Sequence, residues 1–248
     1  VSHRDPLAGI TRYWSADLDV RARFVALGGR LSRGAIDEIW TDDTYAAGEL
    51  GLEGTTVVDV GASVGAFTVL AGRLGAEHVH AYEPHPGTCE VLRGNVWRNQ
   101  LDDRVTVHEQ AVIGCGDHPR GYGVLAGDGA DARLLDGMPA PDPTTGGPEL
   151  LVELAHVADV LGGLDAVVLK LDCEGAEREI VAALHAGGLL VRPGLRGLVM
   201  EFHGPRMPGQ EHLDVAGWGL MVTQLAEFGR LRTIGRPEWG GLLWWTAY

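Results

Sequence analysis

The chain has 248 residues, 45% of them apolar and 22% charged, which suffices for a large buried core and excludes wholesale disorder. Its net charge of −14 argues against a duplex-binding or polybasic membrane-surface protein. No apolar run approaches the roughly 18 residues of a membrane span, and the polar start Val1-Ser-His-Arg-Asp-Pro6 has no secretory pattern, so a cytoplasmic location is expected.

In chain order, the first 50 or so residues read as a helical cap on the same domain, ending in Trp40-Thr-Asp-Asp-Thr-Tyr45; residues 51–248 form the domain proper. Thr55-Thr-Val-Val-Asp-Val60 is a short apolar run stopped by Gly61, a buried strand, and Gly65 to Leu74 has helical spacing. His78-Val-His-Ala-Tyr-Glu83 is the next strand, stopped by Pro84, and Pro86 opens a helix to about Asn99. Val105 to Val112 reads as a third strand. Gly127 to Pro148 is dense in Gly, Pro and Asp and reads as a long exposed loop.

Beyond it, Leu150 to Ala155 is extended and Val157 to Leu161 helical. Ala166-Val-Val-Leu-Lys-Leu-Asp172 is the most apolar strand, followed by a helix from Ala176 to Ala186. Gly197 to Phe202 is a strand and Leu213 to Phe228 a helix, and Arg230–Ile234 and Leu242–Ala247 close the sheet. Near-continuous apolar strands alternating with helices predict an α/β fold with a parallel sheet covered on both faces. The three cysteines, Cys89, Cys115 and Cys173, show no paired spacing and are expected to be free thiols.

Ligands of such sheets bind beyond the carboxyl ends of the strands. The first strand leads into Asp59-Val-Gly-Ala-Ser-Val-Gly65, where Gly61 permits a sharp turn and Gly65 a close helix start. Ser63 and Val64 stand where a dinucleotide fingerprint wants glycine, so a nicotinamide-dependent oxidoreductase is the weaker reading. Glu83 ends the second strand, where a carboxylate can accept both ribose hydroxyls. The fourth long strand delivers Lys170-Leu-Asp-Cys-Glu-Gly-Ala-Glu177, with Asp172 in the cleft. Lys170 is the only lysine among 20 Lys and Arg residues and can reach Asp172 along one strand face. Glu174 and Glu177 also suit the following helix dipole. If the fifth strand is a neighbour, Glu201 and His203 join Asp172 and Glu174 to hold a divalent metal or to supply a general base. No strong metal-ligand spacing is present, so the metal-free route is favoured, with His203 as proton acceptor and Asp172 orienting it or the acceptor.

The runs Val57 to Phe67, Ala81-Tyr-Glu-Pro84, Glu109-Gln-Ala-Val112, Leu169 to Glu177 and Val199-Met-Glu201, in this order, resemble the successive motifs of the FkbM family of S-adenosylmethionine-dependent methyltransferases. The resemblance covers about Asp42 to His203. It implies a class I, Rossmann-like methyltransferase fold: a seven-stranded, mostly parallel sheet whose last strand is antiparallel. It also implies O-methylation of a small-molecule acceptor, such as a sugar or secondary-metabolite hydroxyl, with S-adenosylhomocysteine as product; the expectation of no nucleic acid and no membrane partner rests on the net charge instead. A divalent metal is left open. By resemblance, Tyr45, Asp59, Gly61, Ala62, Ser63, Gly65, Glu83, Pro84, Gln110 and Ala111 would bind the cofactor, and Lys170, Asp172, Glu174 and His203 would serve catalysis. Ser63 replaces the family's usual Asn, and the insertion before Leu150 is longer than the family pattern. A catalytically silent cofactor-binding scaffold is the alternative from a different class.

Overall fold

The computed structural model describes residues 10–15, 20–25, 36–114, 122–126, 133–134, 149–203, 211–235 and 241–247. Its main sheet contains β3 (Thr56–Val60), β4 (His78–Tyr82), β5 (Val105–His108), β10 (Val167–Leu171), β11 (Leu195–Phe202), β12 (Gly229–Gly235) and β13 (Gly241–Ala247). Their spatial order is β12-β13-β11-β10-β3-β4-β5. β13 runs antiparallel to both of its neighbours, and the pairs from β11 across to β5 are all parallel. This is the seven-stranded class I methyltransferase arrangement expected above.

Burial on both faces explains why β3 and β10 are almost wholly apolar. Along them the side chains alternate between two cores. Val57, Val79, Ala81 and Val168 face α1 (Ala66–Arg73) and α2 (Pro86–Arg98), meeting Phe67, Leu70 and Leu92. Val58, Val60, Leu169 and Leu171 face the opposite layer of α3 (Val157–Leu161), α4 (Glu177–Ala186) and α5 (Glu211–Ala226), where Ile180, Leu184 and Leu225 are buried. Trp245 on β13 is anchored there by donating its indole N–H to the Leu225 carbonyl at 2.8 Å.

The N-terminal segment departs from the helical cap predicted. Its described part contains a β-hairpin of β1 (Ile10–Ser15) and β2 (Val20–Val25), helical residues 36–40 and a 3-10 turn at Ala47–Glu49. Val20-Arg-Ala-Arg-Phe-Val25 alternates at period two, the strand period, which buries Ala22 and Phe24 and leaves Arg21 and Arg23 exposed. Phe24 packs edge-on against Trp40 with ring centroids 5.4 Å apart, and Trp40 donates to the Ala66 carbonyl at the start of α1. The segment thereby shares a core with the main sheet.

The predicted third strand is also two strands. The chain breaks at Glu109: β5 ends the main sheet, while β6 (Gln110–Ile113) starts a second, four-stranded one in the order β6-β9-β7-β8. Here β9 (Glu149–His156) covers the extended run from Leu150, β7 spans Tyr122–Ala126, and β8 is Arg133–Leu134. β8 falls inside the segment read as loop, because it pairs with Leu125 and Ala126. The rest of the stretch from Gly127 to Pro148 lies outside the described residues, as does Cys115; Cys89 and Cys173 are free. No helix among the described residues is long and apolar enough to cross a membrane.

Candidate active site

The carboxyl ends of β3, β4, β10 and β11 open on one edge of the sheet. At the end of β3, the Gly61 and Ala62 amides both donate to the Tyr82 carbonyl, at 3.0 and 2.9 Å. Gly61 has φ 75°, and a Cβ there would sit 1.7 Å from the Asp172 carbonyl oxygen, so this crossing of two strand ends admits only glycine. Ser63 follows in the left-handed region at φ 49°, its amide donating to Glu83 at 3.0 Å. The Ser63 hydroxyl is buried and has no partner. Gly65, at φ 90°, caps α1 where a Cβ would strike Leu92.

Glu83 is buried at the end of β4, and Pro84 follows it. One carboxylate oxygen accepts from Ser63 and the other from the His85 amide at 2.9 Å. Burial pushes its carboxyl up to about 7, against the opposing pull of those two N–H groups and Lys170. Each oxygen keeps a lone pair for a further donor.

Beneath the turn lies a buried ionic knot. Lys170 pairs in register with Asp59 across β10 and β3. Its ammonium is 2.9 Å from the Gly61 carbonyl, 3.1 Å from Asp59 Oδ1 and 3.3 Å from Asp172 Oδ2. The Asp59 contact is an ion pair off the hydrogen-bond direction, and Asp59 Oδ2 accepts from Thr68 at 2.6 Å. Burial disfavours the charge on Lys170, but Asp172 and Asp59 outweigh it and hold the ammonium above its ordinary value. Asp172 also accepts from the Tyr45 hydroxyl at 2.8 Å. Burial raises the Asp172 carboxyl, yet Lys170 and His203 prevail and keep it below the usual range. Tyr45 is buried, stands edge-on to Phe67, and has Lys170 Nζ 5.8 Å from its ring centre.

Because β10 and β11 are neighbours, the fifth-strand groups converge as anticipated. His203 Nε2 lies 3.7 Å from Asp172, 3.8 Å from Glu201 and 3.9 Å from Glu174. Its Nδ1 is 3.0 Å from Glu177 Oε1, which also accepts from the Cys173 amide at 2.8 Å. Burial works against protonating His203, but the Glu177 bond and the surrounding carboxylates raise it to about 9. Burial, then Asp172, pushes Glu201 up to about 7. Asp172, Glu201 and His203 offer ligand atoms all within 4.8 Å of one another, a spacing that suits a divalent cation.

Glu177, read from sequence as a helix-dipole charge, is fully buried and fixes the imidazole. Glu174 sits at φ 58° at the rim. Gln110 and Ala111 stand apart on β6: Gln110 reaches Glu153 at 3.4 Å, and Ala111 packs with Leu125 and Val152. Among the described residues, neither bonds to Glu83 or Asp172. Sequence reasoning missed Glu38, on helical residues 36–40, which feels the Asp172 charge and is itself raised, chiefly by burial. Only tertiary contact brings it near, so no local signal marks it.

The strand order, the glycine turn and the acid closing the second strand of the βαβ unit define a Rossmann-like methyltransferase fold. Residues 59–234 match the Methyltransferase FkbM domain, and the chain belongs to that family. A ribosomal protein L11 methyltransferase of Chloroflexus aurantiacus is 33% identical over 144 residues, covering 57% of this chain and 38% of that protein. The match thus spans well under half the length of this curated relative. Among solved structures, methyltransferase FkbM from Methylobacillus flagellatus is similar at 17% identity and TM-score 0.46, covering 77% of this chain and 43% of that one. A ribosomal protein L11 methylase from Lactobacillus delbrueckii subsp. bulgaricus is similar at 14% identity and TM-score 0.44, covering 84% and 82%.

Proposed function

We propose that the chain methylates a hydroxyl oxygen on a small molecule, such as a sugar or secondary metabolite, in the cytoplasm. The observation that carries this reading is Glu201, a half-buried carboxylate tuned to about 7 beside His203 and Asp172 at the open strand ends. A base of that strength is matched to a proton leaving a hydroxyl near neutral pH. The sequence favoured His203 for this task. A histidine raised to about 9 already holds its proton at neutral pH, so Glu201 takes the base role, and His203 steadies the carboxylates as a cation.

The residues fit the cofactor. Glu83 has lone pairs for two ribose hydroxyls, and the partnerless Ser63 hydroxyl lies in the turn that would flank the methionine part. Gln110 and Ala111 would lie by the adenine. When bound, S-adenosylmethionine supplies a methyl group activated on a positively charged sulfur, and the acidic cleft suits that charge. Lys170 fixes Asp172 in its ionised form, and Asp172 would orient the acceptor hydroxyl. Holding the acceptor in line is worth up to about 7–11 kcal/mol of the barrier. Residues 1–50 would cap the catalytic domain of residues 51–248 and help to close the site, a reading supported by the bond from Tyr45 to Asp172.

A second reading rests on the 4.8 Å grouping of Asp172, Glu201 and His203. These would hold a divalent ion, which would acidify the acceptor hydroxyl. The relatives named for ribosomal protein L11 raise a protein acceptor as the rival substrate class, and the net charge of −14 disfavours a nucleic acid one. The deciding experiment offers labelled cofactor with hydroxylated small molecules, a ribosomal protein fraction or RNA, before and after exhaustive chelation. Transfer to a hydroxyl compound that survives chelation supports the first reading. Loss restored by magnesium supports the metal, transfer confined to the protein or RNA fraction refutes the small-molecule acceptor, and no transfer with any of them supports a silent scaffold.

A further inference from the structure

The other end of the helical layer carries a concentration of positive charge that the methyltransferase reaction does not use. Strand β2 presents Arg21 and Arg23 on the face opposite the buried Ala22 and Phe24. Register places Arg23 directly across from Arg12 on β1, a like-charge pairing that an antiparallel ladder disfavours. Asn99, the C-cap of α2, locks the hairpin in place: its Oδ1 accepts the Arg23 amide at 3.0 Å, and its Nδ2 donates to the Arg23 carbonyl at 2.8 Å. Arg73 and Arg98, in the last turns of α1 and α2, complete a pocket of about 560 Å³ shared with Arg12, Arg21 and Arg23.

Helix C-termini favour cations, which accounts for Arg73 and Arg98 but not for the hairpin arginines that share the pocket with them. Other surface arginines are neutralised locally, Arg93 by Glu109 and Arg232 by Glu49. Among the described residues, Arg12, Arg23 and Arg98 form no ion pair and no carboxylate lines the pocket. In a chain of net charge −14, such a cluster is local and directed. Guanidinium groups recognise phosphate oxygens in pairs, and the volume falls within the roughly 300–1,000 Å³ of small-ligand sites.

We propose that this pocket is a second ligand site, taking a small phosphate-bearing molecule with two or more negative charges. The pocket's concave shape and the chain's overall negative charge favour such a ligand over an extended RNA strand. It is distinct from the methyl-transfer site: His85, beside Glu83, starts α2, whereas Arg98 ends it, ~20 Å away along a helix of this length. A ligand here would bridge the hairpin to both helices and stabilise the folded chain by mass action.

The test is calorimetric titration of the whole chain with inorganic pyrophosphate at low ionic strength, with saturating S-adenosylhomocysteine present. We expect one saturable site and a rise in melting temperature. The double variant Arg23→Ala/Arg98→Ala should bind at least about tenfold more weakly, and Arg93→Ala should bind as the parent does. Should the double variant fail to fold, Arg12→Gln provides the same comparison. Absence of saturable binding, or equal loss in Arg93→Ala, overturns the site. Citrate binding as tightly as pyrophosphate overturns the phosphate class, and a 20-nucleotide RNA that outcompetes pyrophosphate overturns the small-molecule reading.

Discussion

Lys170 and Asp172 lie two residues apart at the carboxyl end of β10, and their 3.3 Å ion pair joins the floor of the Gly61–Gly65 turn to the wall of the cleft at the strand ends. The same ammonium holds Asp59 and the Gly61 carbonyl. One hydrogen bond to the Gly61 carbonyl with two carboxylates flanking it suits a compact ammonium better than a planar guanidinium, which gives a physical reason for the single lysine in a chain that otherwise uses arginine. Lys170→Met should therefore strip the buried Asp59 and the half-buried Asp172 of their shared ammonium and destabilise the fold by about 3–5 kcal/mol. Urea denaturation checks this, and a loss below about 1 kcal/mol would contradict the knot's role.

Gly61→Ala tests the strand crossing. The added methyl would collide with the Asp172 main chain rather than a movable side chain. We expect a loss of at least about 3 kcal/mol, overpacking and the φ of 75° combined. An alanine variant that melts within a few degrees of the parent would show that the two strand ends can separate.

Cofactor affinity should depend on pH through Glu83. The group is raised to about 7, and donation from ribose hydroxyls favours its ionised form. Binding of S-adenosylmethionine should then tighten as pH rises from 6 to 7 and level off near 8, and Glu83→Gln should be weaker and flat. Calorimetry at three pH values suffices; a parent profile as flat as the variant's removes the ribose assignment.

The ligand-free protein should lose stability as pH rises. Glu83 and Glu201 are raised to about 7 and His203 to about 9. Each folded-state group thus binds its proton more tightly than the unfolded one. The stabilisation is complete below the unfolded pKa values and is lost as pH climbs through 7 and then 9. A melting temperature that rises between pH 6 and pH 9 would reverse the sign.

Glu201→Gln should lower kcat by about 10²–10⁴-fold with little change in cofactor affinity, as expected for a general base. His203→Ala should instead flatten the pH profile of kcat more than it lowers its maximum. If Glu201→Gln keeps the parent rate while His203→Ala abolishes it, the proton goes to the imidazole after all.

Much of this architecture was legible in the sequence because β3 and β10 are buried on both faces and so read as unbroken apolar runs. The spacing of Lys170 and Asp172 predicted their pairing for the same reason: alternation along a strand is local geometry. The hairpin escaped notice because β2 is only six residues long and its alternation is carried by arginines. The break at Glu109 was hidden because the residues on either side are equally strand-like; the change of sheet depends on β9, far along the chain. Glu38 and the raised Glu201 owe their character to neighbours on other elements, which spacing cannot encode. The arginine pocket draws on three separate segments for the same reason.

The position of β13 also governs the order in which the molecule can be assembled. β12 is made first, yet it reaches the sheet only through β13, which lies between it and β11. On the ribosome, β10 and β11 can dock against β3 while β12 still has no partner and β11 shows one bare edge to the cell. Exposed edges recruit other chains, so the β11 edge stays open to aggregation and to chaperones until β13 has emerged and docked on it.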